Sequence, residues 1–321
     1  MIPIRDINPS KTYPIVNYSL IAINILVFMT QLGQSDPGKF NFYYGLVPAR
    51  YTTYDLLSHF TFGQQIFSFI SFMFLHGGFL HILGNLWSLY VFGDNIEDRL
   101  GHFRYLAFYI LCGIASGISH LLFNFHSQSP VIGASGAISG VMGAYFVLFP
   151  RAKILTLIPI IFIPWLIELP AFIFLGFWFV FQFINAAGSG GAGIAWWAHI
   201  GGFISGIIFL KLFEIIPSSG FTEKAREITA RKTTNMLQVI RPLGPMDDAN
   251  LYATIRITSH EATMGTSKIV NIPWGSQNRL VKVIIPAGVR EGNMVRVSGF
   301  GKITPDGGRG DLMLKVLIQE V

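Results

Sequence analysis

Three short polar motifs interrupt apolar stretches of this sequence, and the first could supply a nucleophile. Ser135 lies in Gly133-Ala-Ser-Gly136, where a turn leads into a short apolar segment predicted to be a helix. A serine at a helix start benefits from the positive end of the helix dipole and from unpaired backbone N–H groups. A nucleophile and a developing oxyanion both need such groups. The alternative is close helix packing, because Gly136, Gly140 and Ala144 form a ridge of small residues.

The other two motifs contain a base and hydrogen-bond donors. His81 and Asn85 are four residues apart, so they share one face of a helix and can address one point. His199 is followed by Gly202 and Gly206 on one helical face, and these glycines would let their helix approach the small ridge closely. Structural alternatives stay open: His81 and Asn85 could bond to other helices, and His199 could be a proton relay or a packing residue.

The elements that must position these residues are predicted to be membrane helices. Of the 321 residues, 51% are hydrophobic and 12% are charged, whereas soluble domains average about 25% charged residues. This composition excludes an ordinary soluble domain, a disordered protein and a nucleic-acid binder built on a basic surface. The single cysteine, Cys112, excludes a disulfide framework and a multi-cysteine zinc site, and it is expected to be buried filler.

Long charge-free runs predict six membrane spans, since a crossing helix needs about 20 apolar residues. The spans lie at residues 14–34 and 79–96, with two more in 105–150 and two in 169–210, and residues 154–167 remain as an apolar connection or a half-buried segment. Lysines and arginines cluster at residues 5–11, 99–104, 151–153 and from 211 onward, while Lys39 and Arg50 oppose this trend. The distribution predicts cytoplasmic termini and places all three polar motifs at similar depth toward the outer side.

The last third of the chain has a β pattern and most of the formal net charge of +6. Alternating or β-branched runs predict strands at residues 251–257, 280–285, 294–297 and 312–318. They indicate a small β-sandwich whose basic surface could contact anionic lipid headgroups. No aromatic–basic motif accompanies the charge, so nucleic-acid binding is not expected.

With these motifs in this order, about residues 10–216 resemble the rhomboid intramembrane serine proteases. The resemblance implies that Ser135 is the nucleophile and that His199 is the general base and acid, without an aspartate to orient it. Asn85, His81 and the Ser135 backbone N–H would hold the oxyanion, and Gly133 would keep its loop close to that position. The implied reaction is hydrolysis of peptide bonds in or near transmembrane segments, with substrate entering past the fifth span and the loop at 188–193.

One departure from the family concerns the support of the histidine. Some rhomboids carry an aromatic residue four positions after the nucleophile that stacks on the base, and here that position is Ser139. The support for His199 must therefore come from another residue. Inactive relatives lose the serine or the histidine, and this chain retains both.

Residues 248–321 resemble the first C-terminal substrate-binding domain of DnaJ-type (Hsp40) cochaperones, chiefly through the run Ile285-Pro-Ala-Gly-Val-Arg-Glu-Gly292. The resemblance implies a cleft that holds an extended hydrophobic segment by β-addition. The alternative is a fixed interaction or stability module without a client.

The expected architecture is a membrane all-α, six-transmembrane-helix rhomboid-like bundle at residues 1–216, a linker at 217–247 and a small cytoplasmic all-β sandwich at 248–321. The expected activity is that of a serine endopeptidase of the inner cell membrane that needs neither metal nor cofactor. Its expected partners are transmembrane protein substrates, the lipid bilayer and unfolded peptide segments held by the tail. The runner-up is a membrane-embedded chaperone that holds transmembrane clients without cleaving them, and a transporter is disfavoured because the sequence has no internal repeat.

Overall fold

The computed structural model of the chain describes every residue except 7, 9, 161–162, 189–193, 218–219, 232, 235, 241, 245–247, 275–276, 305–306 and 320–321. The chain divides into two compact units. The helical unit comprises Pro3–Leu155 and Glu168–Ile228, and the C-terminal unit comprises Met1–Ile2, Thr156–Ile167 and Thr229–Val321.

Helices build most of the helical unit. In chain order, the helices of the described residues are α1 (Ile15–Leu32), α2 (Pro37–Tyr44), α3 (Ala49–Thr52), α4 (Tyr54–Leu57), α5 (Phe62–Ser71), α6 (Phe79–Leu100), α7 (His102–Phe123), α8 (Ser135–Leu148), α9 (Ala171–Ala187), α10 (Trp196–Ile215), α11 (Gly220–Thr229) and α12 (Ser259–Met264). A short 3₁₀ helix at Phe72–Phe74 follows α5. The helix α12 belongs to the C-terminal unit.

Helices occupy each of the predicted spans, namely α1 and α6 to α10. By length and hydropathy, α1, α7 and α10 can each cross a membrane, within the described part of the chain. The helix α5 with its 3₁₀ extension passes the same test together with α6, but the two bend by 82° as a broken span or a re-entrant loop. The helices α8 and α9 are apolar and shorter, with 14 and 17 residues. The chain is a helical membrane protein, and the count of six crossings stays a prediction.

Strands occur before α1, between α8 and α9, and after α11. In chain order, the described strands are β1 (Ile2–Asp6), β2 (Lys153–Ile160), β3 (Ile163–Pro170), β4 (Leu237–Val239), β5 (Leu251–Thr258), β6 (Thr266–Trp274), β7 (Gln277–Ile285), β8 (Met294–Val297) and β9 (Leu312–Gln319). Their sheets have the orders β1–β2–β3, β4–β6–β7 and β5–β9–β8. Apart from 161–162, which lie outside the described residues, the apolar connection expected at 154–167 lies in strands β2 and β3, because its isoleucines favour extended backbone and its prolines oppose a helix.

The helix α8 packs against α6, α7, α9 and α10 and lies at the centre of the helical unit. An alanine Cβ at Gly202 would lie 2.1 Å from the carbonyl oxygen of Gly136, and one at Gly206 would lie 2.1 Å from that of Gly140. The backbones of α8 and α10 therefore touch, as small residues permit between membrane helices. Cys112 is buried against Gly140 and acts as filler, as expected.

A buried carboxylate joins the start of α1 to the end of α6. Glu97 is fully buried and accepts hydrogen bonds from the backbone N–H groups of Val16 and Asn17, at 2.9 and 2.7 Å. His102 Nδ1 lies 2.5 Å from the same carboxylate. An acidic group at a helix N-terminus satisfies unpaired N–H groups and interacts favourably with the helix dipole. Glu97 therefore anchors the first helix to the bundle.

The sheets β4–β6–β7 and β5–β9–β8 share one hydrophobic core. Strand β5 pairs in parallel with β9, with Leu251 opposite Leu312. Ile255, Val270 and Leu314, which come from both sheets, lie in one cluster of buried side chains. The C-terminal unit is thus rich in β-structure, and strands β5, β7, β8 and β9 cover the four predicted runs.

Strands β4 and β6 lie where no strand is predicted, and β6 carries a buried ion pair. Lys268 and Asn271 of this strand are both 2% exposed. The ammonium of Lys268 binds the carboxylate of Glu261, which also accepts hydrogen bonds from the backbone N–H groups of Thr234 and Thr258. Burial acts to raise the pKa of Glu261, but the hydrogen bond from Lys268 and the two backbone donors outweigh it and lower this pKa below 4.5. Lys268 hides the strand pattern because the burial of its ammonium depends on a tertiary partner.

Candidate active site

Ser135 is the first residue of α8, and the backbone just before it is unusual. Gly133 has a φ of +130°, a conformation that side-chain-bearing residues avoid. Its N–H donates to the carbonyl oxygen of Phe72 at 2.8 Å, which ties the loop to the 3₁₀ helix. The serine is therefore presented at a helix N-terminus, where backbone N–H groups lack partners within the helix.

The structure brings Ser135 and His199 into contact. His199 Nε2 lies 2.7 Å from Ser135 Oγ, within hydrogen-bond distance. The contact follows from the packing of α8 on α10, since Gly202 lies one turn beyond His199 and permits the close approach of the two backbones. A serine hydroxyl in contact with an imidazole nitrogen is the arrangement that nucleophilic catalysis requires.

The other ring nitrogen of His199 contacts a residue that the sequence reasoning missed. Gln182 of α9 is 3% exposed, and its Oε1 lies 2.8 Å from His199 Nδ1. Its Nε2 donates to the carbonyl oxygen of Trp178, one turn earlier, at 3.2 Å. The signal in the sequence was a polar amide inside an apolar run, the same signal that marks the other site residues.

His81 and Asn85 flank the loop that precedes the serine. The backbone N–H of Gly77 donates to His81 Nδ1 at 3.2 Å, so the proton of a neutral His81 lies on Nε2. A Cβ added at Gly133 would lie 2.8 Å from His81 Nε2 and 3.7 Å from Asn85 Nδ2. Among the residues that the structure describes, none accepts a hydrogen bond from the buried Asn85 Nδ2. Two free donors thus converge beside Gly133.

A single cavity of about 870 Å³ is lined by all the predicted site residues: Ser135, His199, His81, Asn85 and Gly133. Trp178 of α9 and Trp196 of α10 also line it, and their rings lie 6.0 and 6.2 Å from that of His199 between centroids. The cavity is large enough for an extended peptide segment and for water. The predicted entry loop at 188–193 lies, apart from Gly188, outside the described residues.

Ser139 does not support the histidine. Its hydroxyl donates to the backbone carbonyl of Ser135 at 2.6 Å, within its own helix. The two tryptophans and Gln182 stand around His199 instead. In place of an aromatic residue at position 139, these three side chains are therefore the neighbours of the imidazole.

Sequence profiles of two known families match the chain, the Rhomboid domain at residues 63–214 and the DnaJ C terminal domain at residues 246–320. Rhomboid protein 1, mitochondrial, of Saccharomyces cerevisiae is 29% identical over 210 residues, which are 62% of this chain and 54% of the yeast protein. RHOMBOID-like protein 6, mitochondrial, of Arabidopsis thaliana is 31% identical over 166 residues, 50% of this chain and 48% of the plant protein. A DnaJ-like protein of Synechocystis is 42% identical over 64 residues, 20% of this chain and 18% of that protein. The chain spans about half the length of the first two relatives, and both predicted resemblances are confirmed.

Proposed function

The chain carries a rhomboid domain and a DnaJ C-terminal domain, and we propose that it is an intramembrane serine endopeptidase. It hydrolyses peptide bonds in or near the transmembrane segments of membrane-protein substrates. The observation that carries this proposal is the 2.7 Å contact between His199 Nε2 and Ser135 Oγ at the wall of a cavity among apolar helices.

In the proposed reaction, His199 Nε2 takes the proton of Ser135 Oγ as this oxygen attacks the peptide carbonyl carbon. The carbonyl oxygen becomes an oxyanion beside Gly133, where His81 Nε2–H, Asn85 Nδ2–H and the Ser135 backbone N–H donate to it. Collapse of the intermediate expels the amine, which receives the proton from His199. Water then attacks the acyl-serine with the same histidine as base, which restores the serine. No metal or cofactor takes part in this scheme.

The length of α8 supports a reaction site within the membrane depth. Its 14 residues extend about 21 Å at ~1.5 Å per residue, less than the roughly 30 Å of hydrocarbon in a bilayer. If α8 ends at one membrane face, Ser135 lies below the other face. The cavity then supplies the path by which water reaches the serine.

The proposed organisation keeps the predicted boundaries. Residues 1–216 form a six-span protease domain built on α1 and α6 to α10, 217–247 are a linker, and 248–321 are a β-sandwich. Both termini face the cytoplasm, and the active site lies toward the outer side of the inner cell membrane.

The C-terminal domain is proposed to recruit unfolded segments of substrates. Strand β7 is an edge strand, and Leu280 and Ile284 on it are 63% and 71% exposed. An edge strand with exposed apolar side chains can accept an extended hydrophobic segment by β-addition. The same match to the DnaJ C terminal domain favours the second candidate, a membrane-embedded chaperone that holds clients without cutting them.

Cleavage of a labelled single-span substrate by the full chain in liposomes tests the proposal. The parent is expected to cut the substrate, and Ser135→Ala and His199→Ala are expected to lose this activity. Ser205→Ala, which removes a buried hydroxyl that donates to the Gly202 carbonyl within α10 and also contacts the Cys112 thiol, is the matched control and is expected to remain active. Cleavage that persists in both site variants contradicts the dyad. A parent that binds several clients and cuts none supports the chaperone.

A further inference from the structure

A histidine that serves as a base must hold its free electron pair toward the nucleophile. In many serine hydrolases a carboxylate on the far ring nitrogen fixes this tautomer. Here the group that lies on the far nitrogen is a neutral amide, Gln182, 2.8 Å from His199 Nδ1. Resting on the proposed function, we propose that Gln182 is a positioning residue that holds His199 in the tautomer with Nδ1 protonated and Nε2 free to take the serine proton.

The orientation of the amide follows from its second hydrogen bond. The carbonyl oxygen of Trp178 can only accept, so the group that faces it at 3.2 Å is the NH₂ of Gln182. The amide oxygen is then left for His199. A flipped amide would place two oxygens against each other at Trp178 and would lose that bond, which costs more in a buried site than in water.

The oxygen of Gln182 selects between the two neutral forms of the imidazole. With Nδ1 protonated, the ring donates to Gln182 and accepts from Ser135 at 2.7 Å, so both contacts are hydrogen bonds. With Nε2 protonated, an electron pair on Nδ1 would face the amide oxygen, and Nε2 could not accept the serine proton. The neutral amide achieves this selection without adding a second charge to the apolar interior, where an ion is costly.

The three contacting groups lie on three different helices. The nucleophile begins α8, the base is in α10 and the positioning amide is in α9. Gln182 is anchored to its own helix through Trp178, so its oxygen moves with α9. A displacement of α9 from α10 would release His199 Nδ1 and leave the tautomer unselected. The reactivity of Ser135 and His199 therefore depends on how α9 packs against α10.

Kinetics of Gln182 variants in liposomes give the first test. Gln182→Leu and the shorter Gln182→Asn are expected to lower kcat about tenfold, on the order of one buried neutral hydrogen bond, with KM changed less than about twofold. Gln182→Glu keeps an acceptor oxygen at the same reach, and its carboxyl in the protonated form can still donate to the Trp178 carbonyl, so this variant is expected to recover most of kcat. Asn24→Leu is the control, since Asn24 is a buried amide with the same bond to the carbonyl one turn earlier, in α1. It is expected to keep the parent kcat.

Nitrogen NMR of the full chain with labelled histidine gives a second test that needs no cleavage. The His199 signal, assigned by its loss in His199→Gln, is expected to show a protonated Nδ1 in the parent and in Gln182→Glu, and a mixture of tautomers in Gln182→Leu. A parent kcat in Gln182→Leu, an unchanged tautomer in that variant, or no recovery in Gln182→Glu overturns the proposal. Failure of the proposed function is distinct, because it would remove cleavage by the parent and leave the NMR result in place.

Discussion

Replacing Gly133 by alanine is expected to raise the reaction barrier by more than it destabilises the fold. The new Cβ would lie 2.8 Å from His81 Nε2 and 2.9 Å from His81 Cε1, closer than atoms in contact can approach. It would also fill the space beside Asn85 Nδ2, 3.7 Å away, where the oxyanion is proposed to form. The imidazole must therefore turn away, and one donor is lost to the transition state.

The expected effect of Gly133→Ala has two parts, a lower kcat and a lower stability of the folded state. Loss of one oxyanion donor typically lowers kcat about 10²–10³-fold, which corresponds to roughly 3–4 kcal/mol in the barrier. An alanine at a φ of +130° adds strain of order 1–3 kcal/mol to the folded state. The first part is read from cleavage rates in liposomes, and the second from the midpoint of thermal unfolding.

Two comparisons decide the outcome. Gly176→Ala places its Cβ in ordinary contact with Phe146, at 3.9 Å, and is expected to match the parent in both measurements. In a His81→Ala background, Gly133→Ala is expected to cost much less activity than it does alone, because the donor is already missing. A Gly133→Ala variant that folds and cleaves within threefold of the parent would refute the placement of the oxyanion beside residue 133.

Three further predictions concern the framework of the site. Gly206→Ala would place a Cβ 2.1 Å from the Gly140 carbonyl oxygen, so it is expected to force α8 and α10 apart and to lower the free energy of unfolding by about 1–3 kcal/mol. Thermal unfolding of Gly206→Ala, compared with the neutral control Gly63→Ala, measures this loss. Glu97→Ala removes the carboxylate that accepts from the first turn of α1, and a loss of about 3 kcal/mol is expected; an unchanged unfolding midpoint would contradict the anchor. Glu261 has a lowered pKa, so its stabilising effect is complete above pH 4.5 and declines as the pH falls through the lowered value. Hydrogen exchange in β6 of the full chain is expected to accelerate over that acidic range. In Glu261→Gln, β6 is expected to exchange fast at neutral pH as well.

The residues of the candidate site could be picked out from sequence because each is a polar group within an apolar stretch. Ser135, His199, His81 and Asn85 each interrupt a run that is otherwise suited to membrane helices, where polar groups are costly. Gln182 gives the same kind of signal. What the sequence cannot tell is which helix its amide faces, because that depends on how α9 turns about its axis when it packs on α10.

The sequence predicts the elements whose residues follow a single hydrophobic pattern. It does not predict the elements whose structure depends on tertiary packing. Helices α1, α7 and α10 follow directly from long apolar runs. The isoleucines and prolines of residues 154–167 favour extended backbone, but the sequence does not say which strands pair, and β2 pairs with both β1 and β3. The hydrophobic alternation of strand β6 is not visible in the sequence because Lys268 is buried there. Its ammonium is satisfied by the Glu261 carboxylate and by the Thr234 carbonyl oxygen.

Covalent labelling of the full chain in liposomes tests the central claim, that His199 activates Ser135, most directly. A fluorophosphonate, which reacts with activated serine hydroxyls, is expected to form one adduct per chain, and peptide mass mapping is expected to place it on Ser135. Ser135→Ala is expected to abolish the adduct, and His199→Ala is expected to slow its formation by at least about a hundredfold. Labelling that persists at the parent rate in either variant, or that maps to another serine, would contradict the account.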